Sequence, residues 1–204
     1  MGKLFDIDID FANRDEALAC VPHVPATIIK QTETIKHNTG VYFYNTPMVD
    51  PLTGYSSIDY RDANARGYMK VDFLNVFIYS KIKDEEHLER MLNQEPVWEL
   101  LEEDDVVSGA KTGEPIFQLH GQIDLLKKLK PKNIDQLAMV LALIRPGKKY
   151  LIDKSWDEIE KSIWEPVQVG SDEEEAQYGF KKSHAYGYAS LVIVQMNLIL
   201  EQFN

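Results

Sequence analysis

The stretch "FDIDIDF", residues 5–11, alternates carboxylates with apolar side chains. On a strand, successive side chains point to opposite faces, so Asp6, Asp8 and Asp10 would share one face. Such a row is either solvated or faces a cation, and spacing alone favours the solvated face. A further carboxylate changes the weighing. Asp72 in "KVDFL" lies between Val71 and Phe73 on a second strand-like stretch. A carboxylate inside an apolar strand is costly to bury unless it is paired or holds a metal. If the two strands are neighbours, the carboxylates form an oxygen-rich site of the kind Mg²⁺ occupies together with substrate phosphates. Two such ions can clamp the attacking and leaving oxygens of a phosphoryl transfer. Lys70 shares the face of Asp72, where it either neutralises a carboxylate or meets a phosphate; the ion pair is the simpler reading.

The other chemistry-bearing residues are less ordered. None of His23, His37, His87, His120 and His184 forms the i, i+4 pair of a helical zinc site. His87 lies in a charged segment and is expected to be exposed. Lys181, Lys182 and His184 fall at the start of the last helical stretch, where anions are favoured, with Ser183 the expected N-cap. The single cysteine, Cys20, excludes a disulfide framework and a Cys-based zinc site, and is expected to be a small buried hydrophobe. There is no Walker loop, GxGxxG or GxSxG.

These residues need elements to position them. "LFDIDIDF" and "GVYFYNT" read as strands, as does the start of "GYMKVDFLNVFIYS". "NRDEALACV" reads as a helix capped by Asn13. "PATIIKQTETIKH" is ambiguous. "DEEHLERMLN", "PVWELLEED", "EPIFQLHGQIDLLKKLK", "NIDQLAMVLALI" and "SWDEIEKSIW" read as helices. "RPGKKY" reads as a turn, "GSDEEEAQYG" as an acidic loop, and "SHAYGYASLVIVQMNLILEQF" as a largely buried helix. Strands precede helices, which predicts an α+β fold. The expected division is residues 1–82 as an α+β core and 83–204 as a helical region.

Composition narrows the class. Of 204 residues, 44% are hydrophobic, enough for a sizeable core. A single cysteine fits a reduced, cytoplasmic setting, and no apolar run suggests a signal peptide or a membrane span. The net charge of −11 has the wrong sign for a nucleic-acid binder. That average hides a split: ten acidic residues and one basic residue lie between Asp84 and Asp105, whereas eight basic and two acidic residues lie between Lys127 and Lys154. The second stretch is either a solvated helix face or a phosphate-facing strip.

Five motifs, in order, resemble the bacterial replicative DNA polymerases of family C, the alpha subunit of DNA polymerase III. "FDIDIDF" is similar to the family's palm motif, and "HNTGVYF" to its His-x-Ser/Thr-Gly-Val stretch. "GYMKVDFLNV" resembles Lys-x-Asp-Phe-Leu-Gly-Leu. "PVWELLEEDDVVSGAKTGEPIFQLHGQIDLLKKLKPKNIDQLAMVLALIRPG" resembles the fingers segment with its Phe-Gln-Leu-Glu and Ala-Leu-x-Arg-Pro-Gly. "FKKSHAYGYASLVIVQMNLILEQF" resembles Phe-Asn-Lys-Ser-His and the helix after it. They are spread over almost the whole chain.

The resemblance implies a palm of the polymerase β-like nucleotidyltransferase type with a reduced, mostly helical fingers region. It implies Mg²⁺-dependent nucleotidyl transfer to a primer 3′-hydroxyl in DNA replication, with Asp6, Asp8 and Asp72 as the catalytic carboxylates on two Mg²⁺ and Asp10 in support. Lys70, Arg145, Lys182 and His184 match positions near the primer end and incoming nucleotide. Implied partners are primer-template DNA and deoxynucleotides. There are departures. The family's Gly-Ser triphosphate motif has no room before Phe5, so a second polymerase chain or replisome protein is expected to supply it. His120 replaces Glu, and Asn75 replaces Gly. So small a core would suit a phage-encoded protein in a phage-infected or bacterial cell. The alternative is a non-catalytic, polymerase-derived module that binds replisome proteins or modulates a host polymerase, which the acidic charge and "SDEEEAQ" would suit.

Overall fold

A computed structural model describes residues 7–30, 33–165 and 181–203. The chain divides into two compact units, Met1–Lys81 and Ile82–Asn204. The first is a four-stranded mixed sheet with two short helices. Strand β1 (Ile7–Phe11) leads into helix α1 (Arg14–Ala19). A hairpin of β2 (Val24–Lys30) and β3 (Glu33–Tyr42), helix α2 (Tyr60–Ala65) and strand β4 (Val71–Asn75) follow. The strand order is β1-β4-β3-β2, with β1 parallel to β4 and the other neighbours antiparallel. A parallel pair needs a long crossover, and here everything from α1 to α2 supplies it.

Local signals explain several boundaries. The Asn13 side chain accepts from the amides of Asp15 and Glu16 and opens α1, as its sequence predicts. The ambiguous stretch "PATIIKQTETIKH" resolves as the two arms of the hairpin, where its β-branched residues pair across strands. Strand β3 therefore starts earlier than expected and ends at Tyr42, leaving Phe43–Thr46 outside it. Cys20 is exposed, contrary to expectation: it follows the short α1, and its thiol donates to the Glu16 carbonyl at 3.4 Å.

The sheet has an apolar layer on each face. Leu18, Val41, Val71 and Phe73 form one cluster, on which Phe11 stacks against Phe73 with ring centroids 4.6 Å apart. Ala26, Tyr42 and Ala63 form the other, beneath α2. The register Ile7↔Val71, Asp8↔Asp72 and Ile9↔Phe73 sets the parity. Isoleucines of β1 join the α1 face, and the aspartates of β1 and β4 share the opposite one.

The second unit is helical. It comprises α3 (Glu85–Asn93), α4 (Asp104–Val107), α5 (Ile123–Leu129), α6 (Ile134–Leu143), α7 (Trp156–Ser162) and α8 (Lys182–Phe203). Helix α6 is buried from Leu137 to Leu143 and packs on α8, most of whose middle is also buried. An apolar helix of this kind must be enclosed on all sides.

Three helical expectations and one turn are corrected. "PVWELLEED" forms a 3₁₀ turn, Trp98–Glu102, followed by the single turn of α4. "EPIFQLHGQIDLLKKLK" is helical only from Ile123, because Gln118 sits at φ 61° and breaks the run. "RPGKKY" is a 3₁₀ segment, Pro146–Leu151. Helix α8 starts at Lys182, where the Ala185 amide bonds the Lys181 carbonyl, so Ser183 lies inside the first turn and is not the cap. Gly109 is required by geometry: it has φ +82°, and a Cβ there would lie 2.4 Å from the Pro115 nitrogen. "GSDEEEAQYG" lies outside the described residues.

Candidate active site

Asp72 is the centre of the polar patch on the α2 face of the sheet. Its neighbours Val71 and Phe73 are core residues, so their burial carries Asp72 with them, and its side chain is 11% exposed. Both carboxylate oxygens have partners. Oδ1 accepts from the Thr39 hydroxyl at 2.6 Å, and Oδ2 takes the ammonium of Lys70. The buried charge is thus both paired and hydrogen-bonded, the condition under which such burial is tolerated.

Strand β3 builds the rest of the pocket. Gly40 lies opposite Asp72 in the antiparallel register. A Cβ at Gly40 would come within 2.7 Å of Lys70 Cδ and 3.1 Å of His37 Nδ1. The missing side chain is therefore the bed on which the lysine stem lies. His37 Nδ1 accepts from the amides of Gly40 (2.9 Å) and Thr39 (3.3 Å). A ring nitrogen that accepts two N–H groups carries no proton. Burial first, and then the positive charge of Lys70, push the His37 pKa below its ordinary value. The 3.8 Å approach of His37 Nδ1 to Asp72 is therefore a polar contact and not an ion pair.

Tyr60 and Arg14 close the surroundings. Asp59 caps α2 by accepting from the Arg61 amide and also accepts from the Ile29 amide of β2 at 2.8 Å. This ties Tyr60 to the sheet, edge-on to His37 at 5.2 Å and with Lys70 Nζ 5.8 Å from its ring centre. Arg14 donates to the Thr39 carbonyl at 3.4 Å, and its amide donates to Asn75 Oδ1 at 2.7 Å. Asn75, one of the departures from the family pattern, thereby joins the end of β4 to the start of α1.

The expected site residues are brought together only in part. Asp8 is the register partner of Asp72 on the adjacent strand, and Asp10 follows on the same face. Both are half-buried, whereas Ile7 and Ile9 are 39% and 40% exposed. The carboxylate row is therefore not the more solvated face of β1, which reverses the reading that spacing favours. Asp6 lies outside the described residues. Lys182 packs its ammonium over Trp164 (5.7 Å) and Tyr186 (5.5 Å), and His184 meets Tyr188 edge-on, all within the helical unit. Tyr186 donates to Asp135, a bond that pushes its phenol up to about 12. Arg145 stands half-buried at the entry to the Pro146–Leu151 turn.

The basic stretch disperses. Lys127, Lys128 and Lys130 pair with Asp104, Asp153 and Glu102. Lys148 is 5% exposed and donates to the carbonyls of Ser162 and Glu165 at 2.7 Å each, at and just past the end of α7. Burial lowers its pKa. Four of the eight basic residues of a strip read as phosphate-facing are thus engaged within the protein. His87 is also corrected: it is 4% exposed, accepts the Lys83 amide at Nδ1 and meets Glu201 at Nε2, 3.0 Å away.

Thr39, Gly40, His37 and Tyr60 carry the pocket without having been singled out as site residues. "HNTGVYF" is a visible motif, but its function at Asp72 depends on the β3–β4 register. The donor set suits a hard divalent cation. Asp8 and Asp72 would offer oxygen ligands on adjacent strands once the Lys70 ammonium leaves Asp72 Oδ2. Among the described residues, no group of three or more His, Cys, Asp or Glu side chains forms a ready-made cage. Mg²⁺ characteristically takes few carboxylates and completes its shell with water and phosphate.

Comparison with known proteins bears above all on the helical unit. The model of the bacterial DNA polymerase III alpha subunit finger domain matches residues 76–159. DNA polymerase III subunit alpha of Aquifex aeolicus is 38% identical over 103 residues, covering 43% of this chain and 8% of that protein. The subunit alpha of Borreliella burgdorferi is 29% identical over 128 residues, covering 54% of this chain and 11% of that protein. The chain thus spans about a tenth of the length of these relatives, and what it is similar to in the bacterial DNA polymerase III alpha subunits includes their finger domain, over residues 76–159.

Proposed function

We propose that the chain acts in DNA replication as a minimal or split polymerase core, with the sheet unit as a nucleotidyltransferase palm and the helical unit as reduced fingers. The observation that carries this reading is the register pair Asp8↔Asp72 on one face of a parallel strand pair, with Lys70 on Asp72. Asp8 and Asp72, joined by Asp6, would hold Mg²⁺. When bound, the metal supplies charge stabilisation at the attacking and leaving oxygens. The primer 3′-oxygen bonds to the α-phosphorus as pyrophosphate departs. Lys70, Lys182, His184 and Arg145 would bind phosphate or position the nucleotide. His37, Thr39 and Gly40 act by orienting Asp72 and Lys70. Primer-template DNA and deoxynucleotides are the substrates, and a second polymerase chain or replisome protein is the partner. The setting is the cytoplasm of a bacterial or phage-infected cell; no described helix is long and apolar enough to cross a membrane.

Primer extension with the purified chain, Mg²⁺ and deoxynucleotides tests this, alone and with a full-length alpha subunit. Extension that Asp72→Asn abolishes supports it. No extension, together with no Mg²⁺-dependent binding of primer-template, would sink it in favour of a non-catalytic module.

A further inference from the structure

Lys70 and Asp72 form a pair that a metal would have to open. Their side chains are 13% and 11% exposed, so the pair is screened from water far more than a surface ion pair. The lysine does not reach Asp72 by chance contact. Its stem crosses the strand over Gly40, where any Cβ would collide with it. His37 fixes the turn that presents Thr39 by accepting both the Thr39 and Gly40 amides. Thr39 then holds Oδ1, leaving Oδ2 to Lys70.

We infer that Lys70 is a built-in counter-cation that occupies Asp72 until a divalent metal displaces it. The inference rests on the reading of Asp72 as a metal ligand. An ammonium and a divalent cation cannot share one carboxylate at contact distance without strong repulsion. Lysine suits the task because its charge is compact and its four-carbon stem flexible, so the head can leave while the stem stays on Gly40. Without it, Asp8 and Asp72 would face each other across the strands, and Asp72 would be a buried charge with no counter-charge. Displacement by metal would turn the ammonium outward, toward the phosphates of a nucleotide. Lys70 is thus a positioning residue in the empty site and a phosphate partner in the loaded one.

The test uses Mn²⁺ binding, followed by titration calorimetry and by paramagnetic broadening, on the full chain. Lys70→Met should bind Mn²⁺ at least tenfold more tightly than wild type. Gly40→Ala, which crowds the stem but keeps the charge, should shift affinity the same way by a smaller factor. On wild type, acylation of Lys70 by an N-hydroxysuccinimide ester, followed by mass spectrometry against the exposed Lys30, should speed up when Mn²⁺ is added. Equal or weaker Mn²⁺ binding by Lys70→Met, or metal binding with unchanged Lys70 reactivity, overturns the inference while leaving the metal site intact. Asp72→Asn binding Mn²⁺ as wild type does overturns the metal-site reading itself, and the inference with it.

Discussion

The two units handle charge in opposite ways. In the sheet unit one carboxylate, Asp72, gathers a lysine, a threonine and a neutral histidine into a pocket with little solvent access. In the helical unit, a stretch far richer in charge spreads its lysines over ion pairs with acids inside and outside that stretch and, at buried Lys148, over two backbone carbonyls. Density of charge along the chain therefore says little about density in space. An isolated aspartate between two core residues is the more informative signal, because burial forces it to find partners.

The contrast can be broken by substitution. The largest effect is expected at Asp72→Ala, which strands the Lys70 ammonium and should cost the sheet unit about 3–5 kcal/mol in urea unfolding. A loss near zero would mean that the pocket is open to water. Lys148→Ala should come next, at about 2–3 kcal/mol, because it removes a charged donor from two carbonyls; urea unfolding followed by Trp156 and Trp164 fluorescence reads it. A pH effect should follow. The folded-state pKa of His37 is lowered, so the unfolded chain binds the extra proton first. Its contribution is therefore fully present above the unfolded value of about 6.5 and is lost as pH falls below it. Stability of the sheet unit should decline between pH 7 and 5, and His37→Gln should flatten that decline. The smallest effect is expected at Lys127→Ala and Lys130→Ala, whose exposed pairs should leave the urea midpoint unchanged within error. A large loss there would mean that the strip is a built surface after all.

Much of the fold is legible in the chain. Alternation marks β1 and β4, Asn13 marks the start of α1, and unbroken apolar character marks α6 and α8 as buried. The 3₁₀ segments are not legible, since their residues would serve an α-helix equally well. His87 reads as exposed because its partner Glu201 lies 114 residues away. Ser183 has the chemistry of a cap, but Lys181 takes that place.

The sequence by itself singled out Asp6, Asp8 and Asp72 and, through its ordered motifs, the polymerase family it resembles. It could not decide what surrounds them. Thr39 and Gly40 meet the Lys70–Asp72 pair only because β3 pairs with β4 in one register, and a slip of one residue would break that meeting. Register is fixed by the packing of Val41, Val71 and Phe73 beneath α1, a property of the assembled sheet and of no single strand.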